Sequence, residues 1–434
     1  MGINMKNILF VGPFPPHQRG GGEYVAHSIA KAMKKKGFKI FVLFMGKDKF
    51  FERYDDRGTK VYRVDKFYKG RKERFSLLQI LRYFTIELFN PFAFLFTIYM
   101  ILRYKIHVVH ISTFHQISVS PLIAAKLLWR KTILTFHSHE LFCFISSLSP
   151  NCPGAEKHKC GKCILNSQAL PDFLKRHEFA YNKALQISNH LIKSTLFFKS
   201  KMAQLANLAI FPSEYLKNYY VKHGFDSSKS MVIYNFLDNP KGRKKNMIKL
   251  KSKFGIKNEK VILFVGHMIA MKGPQILLDA FNLLKNKKNL KLMFVGYGPL
   301  IEELKQKALK LKLDKEIIFT GWIPREDLMS VYNLADVVVI PSIFPETFSL
   351  IFLEAFNAKK IVIASNIGAL SDNIINGETG FLVKPNDPKE LSKNLEFVVT
   401  NLRKLEPMKK RVYEEATTKY DPRIFIKEYE RLYA

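Results

Sequence analysis

The sequence predicts an α/β protein with two Rossmann-like domains, each built on a doubly wound parallel sheet. Short apolar runs alternate with amphipathic segments of ten or more residues, an alternation typical of parallel sheets. The alternation begins at Ile8–Val11 and begins again at Val261–Gly266, which indicates two sheets. The length of 434 residues also exceeds that of one ordinary domain.

The first domain is predicted to alternate strands with a helix of clear 3.6-residue periodicity. Its predicted elements are strands at Ile8–Val11, Phe38–Phe44, Val108–Ile111 and Thr132–Phe136, and a helix at Tyr24–Lys36. The rhythm stops at residues 143–165, which contain all four cysteines together with Pro, Gly and Lys. We expect this segment to be an insertion in the first domain.

The longest apolar stretch, Phe84–Leu102, is interrupted by Glu87, Asn90 and Pro91. About 11 residues remain uninterrupted, whereas a membrane-spanning helix needs about 20. We predict a buried core helix. The alternative is a helix lying in the membrane interface, which the basic residues on either side favour. These flanking residues are Arg71, Lys72, Arg74, Arg82, Arg103 and Lys105.

The second domain repeats the same pattern after a linker at Asn235–Asn246, which is rich in Asn, Pro, Gly and Lys. Its predicted strands are Val261–Gly266, Leu292–Gly296, Ile317–Gly321, Val337–Pro341 and Ile361–Ser365. Its predicted helices are Ile276–Leu284, Leu300–Leu311 and Phe348–Ala358.

The chain is strongly basic, with 70 Lys and Arg against 37 Asp and Glu, a net charge of +33 and a pI near 9.8. The excess is +21 over residues 1–240 and +12 over residues 241–434. Such a balance implies an anionic partner: nucleic acid, a membrane surface or a phosphorylated substrate. The globular proportion of hydrophobic residues excludes wholesale disorder and fibrous architecture. The apolar run near the N-terminus is too short for a secretory signal, so we expect a cytoplasmic protein.

Two glycine-rich loops each follow a predicted strand and precede a predicted helix. The first ends in Gly20 and Gly21, and the second, Gly266–Gly273, carries Lys272. Backbone N–H groups of such loops and of helix N-termini can approach a phosphate closely, and a lysine can pair with a diphosphate. Taken singly, each loop is equally typical of a tight turn, with a solvated lysine at the tip of the second.

The strongest local signal is a pair of glutamates, Glu346 in the loop after a predicted strand and Glu354 in the helix that follows. Glu354 lies in an apolar segment, where a buried carboxylate is costly unless it has polar partners. Sugar hydroxyls would supply them. The alternative is an exposed glutamate on the polar face of the helix.

These motifs occur in the order found in the retaining nucleotide-sugar glycosyltransferases of family 4, which the chain resembles over nearly its whole length. The spacing Glu346-x7-Glu354 after Pro341-Ser342 carries most of the resemblance. The accompanying motifs are Gly20-Gly21-x-Glu23, Val108-Val109-His110, Thr135-Phe136-His137, Pro212-Ser213, Gly266…Lys272-Gly273, Gly296-Tyr297-Gly298-Pro299, Gly321-Trp322-Ile323-Pro324 and Gly377-x-x-Gly380.

The resemblance implies the GT-B fold, in which two Rossmann-like domains face a cleft. It also implies transfer of a sugar from a nucleoside diphosphate (NDP) sugar to a hydroxyl acceptor by a retaining, hexosyltransferase-type enzyme. We expect an acceptor-side domain over residues 1–238 and a nucleotide-sugar-binding domain over residues 239–412. A C-terminal helix over residues 413–434 is expected to pack back on the first domain.

The resemblance also implies roles for single residues. Lys272 would neutralise charge on the leaving phosphate, Glu346 would bind hydroxyls of the transferred sugar, and His137 would lie near the donor sugar and the acceptor. Glu354 would accept hydrogen bonds from the ribose, and no catalytic metal is implied. The other implied donor-binding residues are Gly20, Gly21, His267, Ile323, Phe348, Ser349 and Leu350. His267 stands where the family often has Arg, and Ser349 where Gly is common.

The four cysteines, Cys143, Cys152, Cys160 and Cys163, are the only ones in the chain. Clustered thiols without a secretory signal favour a metal over disulfides, and a structural zinc site would stabilise a loop too polar to pack by itself. An iron–sulfur cluster, disulfides and free thiols are the alternatives. Some family members have a similar insertion, so we expect this loop to shape the acceptor site.

The resemblance also reinterprets the charge, because the first GT-B domain receives the acceptor, often a lipid-linked sugar. We predict a role in making cell-surface glycans (polysaccharide biosynthesis), with peripheral binding to the anionic cytoplasmic face of the membrane. The alternative is a catalytically weak homologue that acts as a sugar-nucleotide-binding or scaffold protein. A nucleic-acid-binding protein is disfavoured, because no helix-turn-helix, zinc-finger or RNA-recognition signature accompanies the charge.

Overall fold

The computed structural model describes residues 6–12, 20–46, 51–56, 58–65, 85–114, 117–143, 178–238 and 247–434. The chain forms two compact units: unit 1 comprises residues 1–234 and 425–434, and unit 2 comprises residues 235–424. Each unit is built on a parallel sheet with helical crossovers, which confirms the predicted fold class.

Unit 1 has an eight-stranded sheet. Its strands are β1 (Asn7–Val11), β2 (Lys39–Gly46), β3 (Phe51–Asp56), β4 (Thr59–Asp65), β5 (Val108–Ile111), β6 (Lys131–Thr135), β7 (Leu208–Phe211) and β8 (Ser230–Val232). Their order in the sheet is β3-β4-β2-β1-β5-β6-β7-β8. Among these strands, β3 and β4 pair as an antiparallel hairpin and the other pairs are parallel.

The helices of unit 1 are α1 (Gly21–Lys35), α2 (Pro91–Arg103), α3 (Ser120–Leu127), α4 (Glu178–Ala203) and α5 (Glu214–Lys222). α2 begins where the Asn90 side chain accepts a hydrogen bond from the Ala93 N–H at 3.0 Å, with Pro91 at the first helical position. The sequence predicts a core helix here, and the structure places only one face of α2 in the core: Thr97 and Met100 are buried, whereas Leu95 is 60% exposed.

Unit 2 has a six-stranded parallel sheet. Its strands are β9 (Lys260–Val265), β10 (Leu290–Val295), β11 (Ile317–Gly321), β12 (Val337–Ile340), β13 (Ile361–Ser365) and β14 (Phe381–Val383), in the order β11-β10-β9-β12-β13-β14. Its helices are α6 (Met247–Lys253), α7 (Pro274–Asn282), α8 (Ile301–Lys310), α9 (Arg325–Leu334), α10 (Leu350–Asn357), α11 (Ala369–Asn373), α12 (Pro388–Asn401) and α13 (Glu406–Thr417).

The last helix, α14 (Pro422–Tyr433), begins in unit 2 and ends in unit 1. Its Tyr433 is fully buried, and its hydroxyl forms a hydrogen bond with Nδ1 of His110. Nε2 of His110 lies 2.7 Å from Oγ1 of Thr135. The C-terminal residues therefore complete the core on the face of the sheet that carries Phe10 and His110, opposite the face covered by α2 and α3.

The buried imidazole of His110 predicts a pH-dependent stability for unit 1. Burial, and secondarily the nearby His137, lower the pKa of His110 to about 3. Between pH 6.5 and pH 3 the unfolded chain therefore binds a proton that the folded chain does not, and the free energy of unfolding falls as the pH falls. Once the pH is well below 6.5, we expect this histidine to contribute ~1.4 kcal/mol per pH unit.

Urea unfolding of the wild type and of His110→Gln at pH 7, 6 and 5 measures this slope. We expect the variant to be less stable at pH 7 and to lose less stability on acidification. His190→Gln, at an exposed histidine, is the control and should keep the wild-type slope. Equal slopes for wild type and His110→Gln would contradict the assignment.

Candidate active site

The strand order of unit 2 reverses between β9 and β12, which are neighbours in the sheet. In doubly wound sheets, ligands bind beyond the carboxyl ends of the strands at such a switch point. The loop after β9 carries His267 and Lys272, and the loop after β12 carries Glu346. The topology therefore brings together two loops that the sequence marks as binding loops.

These two loops are in direct contact. Gly273 has a φ of +71°, and a Cβ atom at this position would lie 1.9 Å from the carbonyl oxygen of Pro341. A side chain there would force the loops apart, so glycine is required by both its conformation and its close approach. The Ile343 N–H donates to the Met271 carbonyl at 2.9 Å. Lys272 is thereby fixed beside the loop that carries Glu346.

Glu346 is the centre of a buried polar cluster. Its side chain is 7% exposed, and its Oε1 lies 2.7 Å from Nζ of Lys272 and 2.6 Å from Oγ of Ser342. The Lys272 ammonium also lies 4.7 Å from the centre of the Phe344 ring. A carboxylate and an ammonium held this way form a neutral pair, and together they can bind hydroxyl groups and an anion.

Glu354 is also buried, at 4% exposure, on the inner face of α10. The Tyr332 hydroxyl donates to its Oε2 at 2.7 Å, and the guanidinium of Arg325 donates to its Oε1. The sequence correctly marks Glu354 as a carboxylate in an apolar helix that needs partners. The alternative, an exposed glutamate on the polar face of the helix, is excluded by its burial. Protein side chains, and not sugar hydroxyls alone, supply the partners.

Arg325 and Tyr332 are the site residues that sequence reasoning missed. Both lie on α9, with Arg325 at its first position and Tyr332 near its end, and their contacts to Glu354 join residues 29 and 22 positions apart. The sequence does contain a signal that could have linked them: Arg325 and Tyr332 are seven positions apart and therefore share one face of a helix. Burial, and then the neighbouring Glu354, raise the pKa of Tyr332 well above its usual value, so its hydroxyl stays protonated and donates.

The residues before α10 include the strained position of this site. Ser349 precedes Leu350, the first residue of α10, and has a φ of +67°. Among the described residues its buried Oγ has no hydrogen-bond partner. This conformation explains why a glycine is favoured there. Phe348 is buried, and its ring packs 5.3 Å from that of Phe352.

His267 lies next to Lys272 in the loop after β9. Burial, and then the Lys272 charge, lower the pKa of His267 below its usual value, and its ring centre lies 5.1 Å from that of Tyr297. The imidazole is therefore mostly neutral at pH 7 and offers a hydrogen bond where an arginine would offer a charge. Ile323, half-buried, follows β11.

In unit 1 the strand order reverses between β1 and β5, which are neighbours in the sheet. The predicted site residues of this unit are Gly20 and Gly21, which come after β1 in the chain, and His137, which comes after β6. Gly20 precedes α1 and Gly21 is its first residue. Gly22 packs against His137, because a Cβ atom on Gly22 would lie 3.5 Å from the imidazole. The start of α1 and the residue two positions after β6 are thus adjacent.

His137 is a neutral imidazole at physiological pH. The protein atoms around it desolvate the ring and lower its pKa to about 4. It can therefore donate or accept a hydrogen bond without bringing a charge.

The cysteine-rich insertion lies mostly outside the described residues. Cys143 is buried at the end of a turn in which its N–H donates to the His139 carbonyl at 2.8 Å. Cys152, Cys160 and Cys163 lie in the range that the structure leaves undescribed. The described part of the chain contains no group of three His, Cys, Asp or Glu side chains arranged to hold a metal. The zinc site therefore stays a prediction.

Comparison with protein families agrees with this arrangement. Residues 19–239 match the family described as Glycosyltransferase Family 4, and residues 246–416 match the family described as Glycosyl transferases group 1.

Three relatives illustrate the similarity. An uncharacterized glycosyltransferase of Methanocaldococcus jannaschii is 31% identical over 179 residues, which are 40% of this chain and 45% of that protein. A D-inositol 3-phosphate glycosyltransferase of Corynebacterium efficiens is 37% identical over 136 residues, or 30% and 32% of the two chains. The chain thus spans less than half the length of these two relatives. A second uncharacterized glycosyltransferase of M. jannaschii is 24% identical over 440 residues, 99% of both chains.

Among solved structures, that of Anabaena Alr3699/HepE in complex with UDP is similar, with a TM-score of 0.71, 19% sequence identity and 99% coverage of both chains. Another structure of the same protein contains UDP-glucose, with a TM-score of 0.69 and 98% coverage of both chains. At this identity the similarity establishes the fold of the two units.

Replacing Ser349 by glycine should stabilise unit 2. Ser349→Gly removes the positive-φ strain and the buried unpaired hydroxyl, each worth ~1–3 kcal/mol, against a backbone entropy cost of about 0.5–1 kcal/mol. We expect a net gain of about 1 kcal/mol or more in the free energy of unfolding, measured by urea denaturation. Ser349→Ala removes only the hydroxyl and should gain less. A loss of stability in Ser349→Gly would contradict the strain.

The hydrogen bond between Tyr332 and Glu354 should appear as an energetic coupling. Tyr332→Phe leaves Oε2 of Glu354 buried without its donor, so we expect a loss of about 1–3 kcal/mol in the free energy of unfolding. A double-mutant cycle with Glu354→Ala, which removes the acceptor, measures the coupling. Tyr297→Phe, at a tyrosine that is 53% exposed, is the control with an expected change near zero. Additive effects in the cycle would show that the bond does not form.

Proposed function

The chain belongs to glycosyltransferase family 4 and has the GT-B fold, and from this premise we propose that it is a retaining glycosyltransferase of the hexosyltransferase type. Its donor is an NDP-sugar and its acceptor a hydroxyl group. The observation that carries the proposal is the buried cluster of Glu346, Lys272 and Ser342 at the carboxyl ends of β9 and β12. A catalytic carboxylate–ammonium pair at a switch point suits a sugar diphosphate, which presents hydroxyls and an anion together.

In the proposed reaction, the bond between the anomeric carbon and the β-phosphate oxygen breaks. A bond from the acceptor oxygen to the anomeric carbon forms on the same face of the sugar, which retains the configuration. The acceptor proton passes to an oxygen of the departing diphosphate. Negative charge develops on that diphosphate, and the ammonium of Lys272 stabilises it. The proposal assigns no step to a metal ion.

The two glutamates hold opposite ends of the donor. Glu346 binds hydroxyls of the transferred sugar through its carboxylate, and its pairing with Lys272 keeps both groups oriented before the donor arrives. Glu354 accepts from the ribose hydroxyls through lone pairs that remain beside Arg325 and Tyr332. Within unit 2, the backbone N–H groups at Phe348–Leu350 bind the diphosphate, and the base lies near Ile323, with His267 beside the phosphates. The backbone N–H groups at Gly20–Gly21 of unit 1 are proposed as a further donor-binding element.

His137 of unit 1 is proposed as a neutral hydrogen-bonding group for a hydroxyl of the sugar or the acceptor. Its lowered pKa, about 4, keeps it uncharged at physiological pH.

Two comparisons support the substrate classes. Alr3699/HepE binds UDP and UDP-glucose, so a uridine donor is the first one to test. The C. efficiens relative is named for D-inositol 3-phosphate, and the net charge of +21 over residues 1–240 suits an acceptor that carries phosphate. We propose a lipid-linked or cell-surface glycan precursor as the acceptor.

The proposal predicts distinct kinetic defects for Lys272 and Glu354. We expect Lys272→Ala to lower kcat by ~10²–10³, because it removes a group that stabilises charge in the transition state. Glu354→Ala should chiefly raise KM for the donor, because the ribose is bound equally in the ground and transition states. Hydrolysis and transfer assays with a panel of NDP-sugars, chosen by thermal shift, measure both effects.

Lys305→Ala, on the exposed face of α8, is the matched control and should behave as wild type. A wild-type protein that is stabilised by an NDP-sugar but neither hydrolyses nor transfers it would instead identify a sugar-nucleotide-binding or scaffold protein. A wild-type protein stabilised by no NDP-sugar would refute the donor site itself.

A further inference from the structure

The outward face of α2 is apolar, which is unusual for a helix at a protein surface. Leu95, Tyr99 and Leu102 are 60%, 48% and 61% exposed, and their spacing of four and three residues places them on one face. The opposite face, with Thr97 and Met100, is buried in the core of unit 1. A surface helix normally turns polar residues outward, so this face is suited to a non-aqueous contact.

The hairpin next to α2 extends this surface. Phe51 of β3 is 43% exposed, and its ring stacks on that of Phe96 at 5.5 Å. Since side chains alternate along a strand, Arg53 lies on the same face as Phe51, and its guanidinium lies 5.7 Å from the centre of the Tyr62 ring. We call Phe51, Leu95, Tyr99 and Leu102 the α2 surface.

The surface ends in a basic border. Lys60 and Arg103 are exposed, and each charge lies 5.5 Å from the centre of the Tyr104 ring. On this face β3 also carries Asp55, which is exposed, lies opposite Lys60 in the register of the hairpin and accepts a hydrogen bond from the Gly58 N–H. The carboxylates on the other face contact other cations: Glu52 lies 2.9 Å from Arg63, and Asp56 lies 3.4 Å from His27. Arg53, Lys60 and Arg103 thus outweigh Asp55, so the border has a net positive charge where it adjoins the apolar side chains.

α2 itself is shorter than a membrane-spanning helix. By length and composition alone, Thr85–Arg103 is long and apolar enough to cross a membrane, with 33% of its most apolar window buried in the protein. α2 has 13 residues, or about 20 Å, against a hydrocarbon core of about 30 Å. A helix with one face in the protein core and one apolar face outward is suited to lie along an interface.

We propose that the α2 surface docks the protein onto a bilayer that contains anionic lipids. The apolar side chains enter the boundary between headgroups and acyl chains, and Arg53, Lys60 and Arg103 bind lipid phosphates. A second copy of the chain fits less well, because it would bring the same positive border against this one. Docking does not rest on the sugar transfer proposed above, since it needs neither donor nor acceptor.

Flotation with vesicles tests the proposal without any nucleotide sugar. We expect the wild-type protein to float at low salt with vesicles of equimolar phosphatidylglycerol and phosphatidylcholine, and much less with phosphatidylcholine alone. Leu95→Ser/Leu102→Ser should lower the partition coefficient at least tenfold. Lys60→Glu/Arg103→Glu should lower it at least tenfold on the anionic vesicles and remove most of its salt dependence.

Leu283→Ser/Leu309→Ser is the matched control, because these leucines of unit 2 are 48% and 54% exposed, and it should float as wild type. If Leu95→Ser/Leu102→Ser fails to fold by circular dichroism, the milder Leu95→Gln and Leu102→Gln should each lower partition at least threefold. Absence of flotation of the wild type at low salt, or equal flotation of wild type and the α2 variants, would overturn the proposal. So would a loss of dimerisation in the variants, by sedimentation, with unchanged flotation.

Discussion

Unit 2 is organised around one buried carboxylate, that of Glu346. An isolated ionised carboxylate in a protein interior is strongly unfavourable, so the stability of this position depends on the ammonium of Lys272 at 2.7 Å and the hydroxyl of Ser342 at 2.6 Å. Because Lys272 comes from the loop after β9, the pair requires two loops to stay in contact. Gly273 makes that contact possible, since no other residue could approach the Pro341 carbonyl so closely. The backbone of Glu346 is fixed as well, because its carbonyl accepts the Ala369 N–H at 2.8 Å.

This pairing has a consequence for catalysis. Lys272 is both the counter-ion of Glu346 and the proposed counter-ion of the donor diphosphate. Before the donor binds, the pair is neutral and each partner holds the other in place, so little reorganisation is needed when the phosphate arrives. The carboxylate of Glu354 is oriented in the same way, by hydrogen bonds from Tyr332 and Arg325. Unit 1 also contains a buried ion pair, between Lys199 and Glu87, whereas its imidazoles His110 and His137 are neutral, with pKa values lowered to about 3 and about 4. Salt screens buried pairs of this kind much less than it screens the exposed charges of the surface.

Particular elements show how far the sequence could predict this structure. The strand at Ile8–Val11 is a continuous apolar run and that at Val108–Ile111 is apolar except for His110, as expected of parallel strands covered on both faces, and both are confirmed. β3 was not predicted, because it is the edge strand of its sheet and four of its six residues are charged. The need of Glu354 for partners was predictable from its apolar neighbours, but Arg325 and Tyr332 meet it only through tertiary packing. The sequence marked Ser349 as unusual, and only the backbone angle explains why. Likewise, the apolar composition of α2 does not predict which of its faces packs in the core and which is exposed at the surface.

If the proposed function is right, a nucleoside diphosphate binds where Lys272 and Glu346 meet. A crystal structure of the protein soaked with UDP would show this. We expect diphosphate density within hydrogen-bonding distance of Nζ of Lys272 and a ribose hydroxyl within hydrogen-bonding distance of the Glu354 carboxylate. Nucleotide density at another place, with Lys272 and Glu346 still paired and no phosphate beside them, would contradict it.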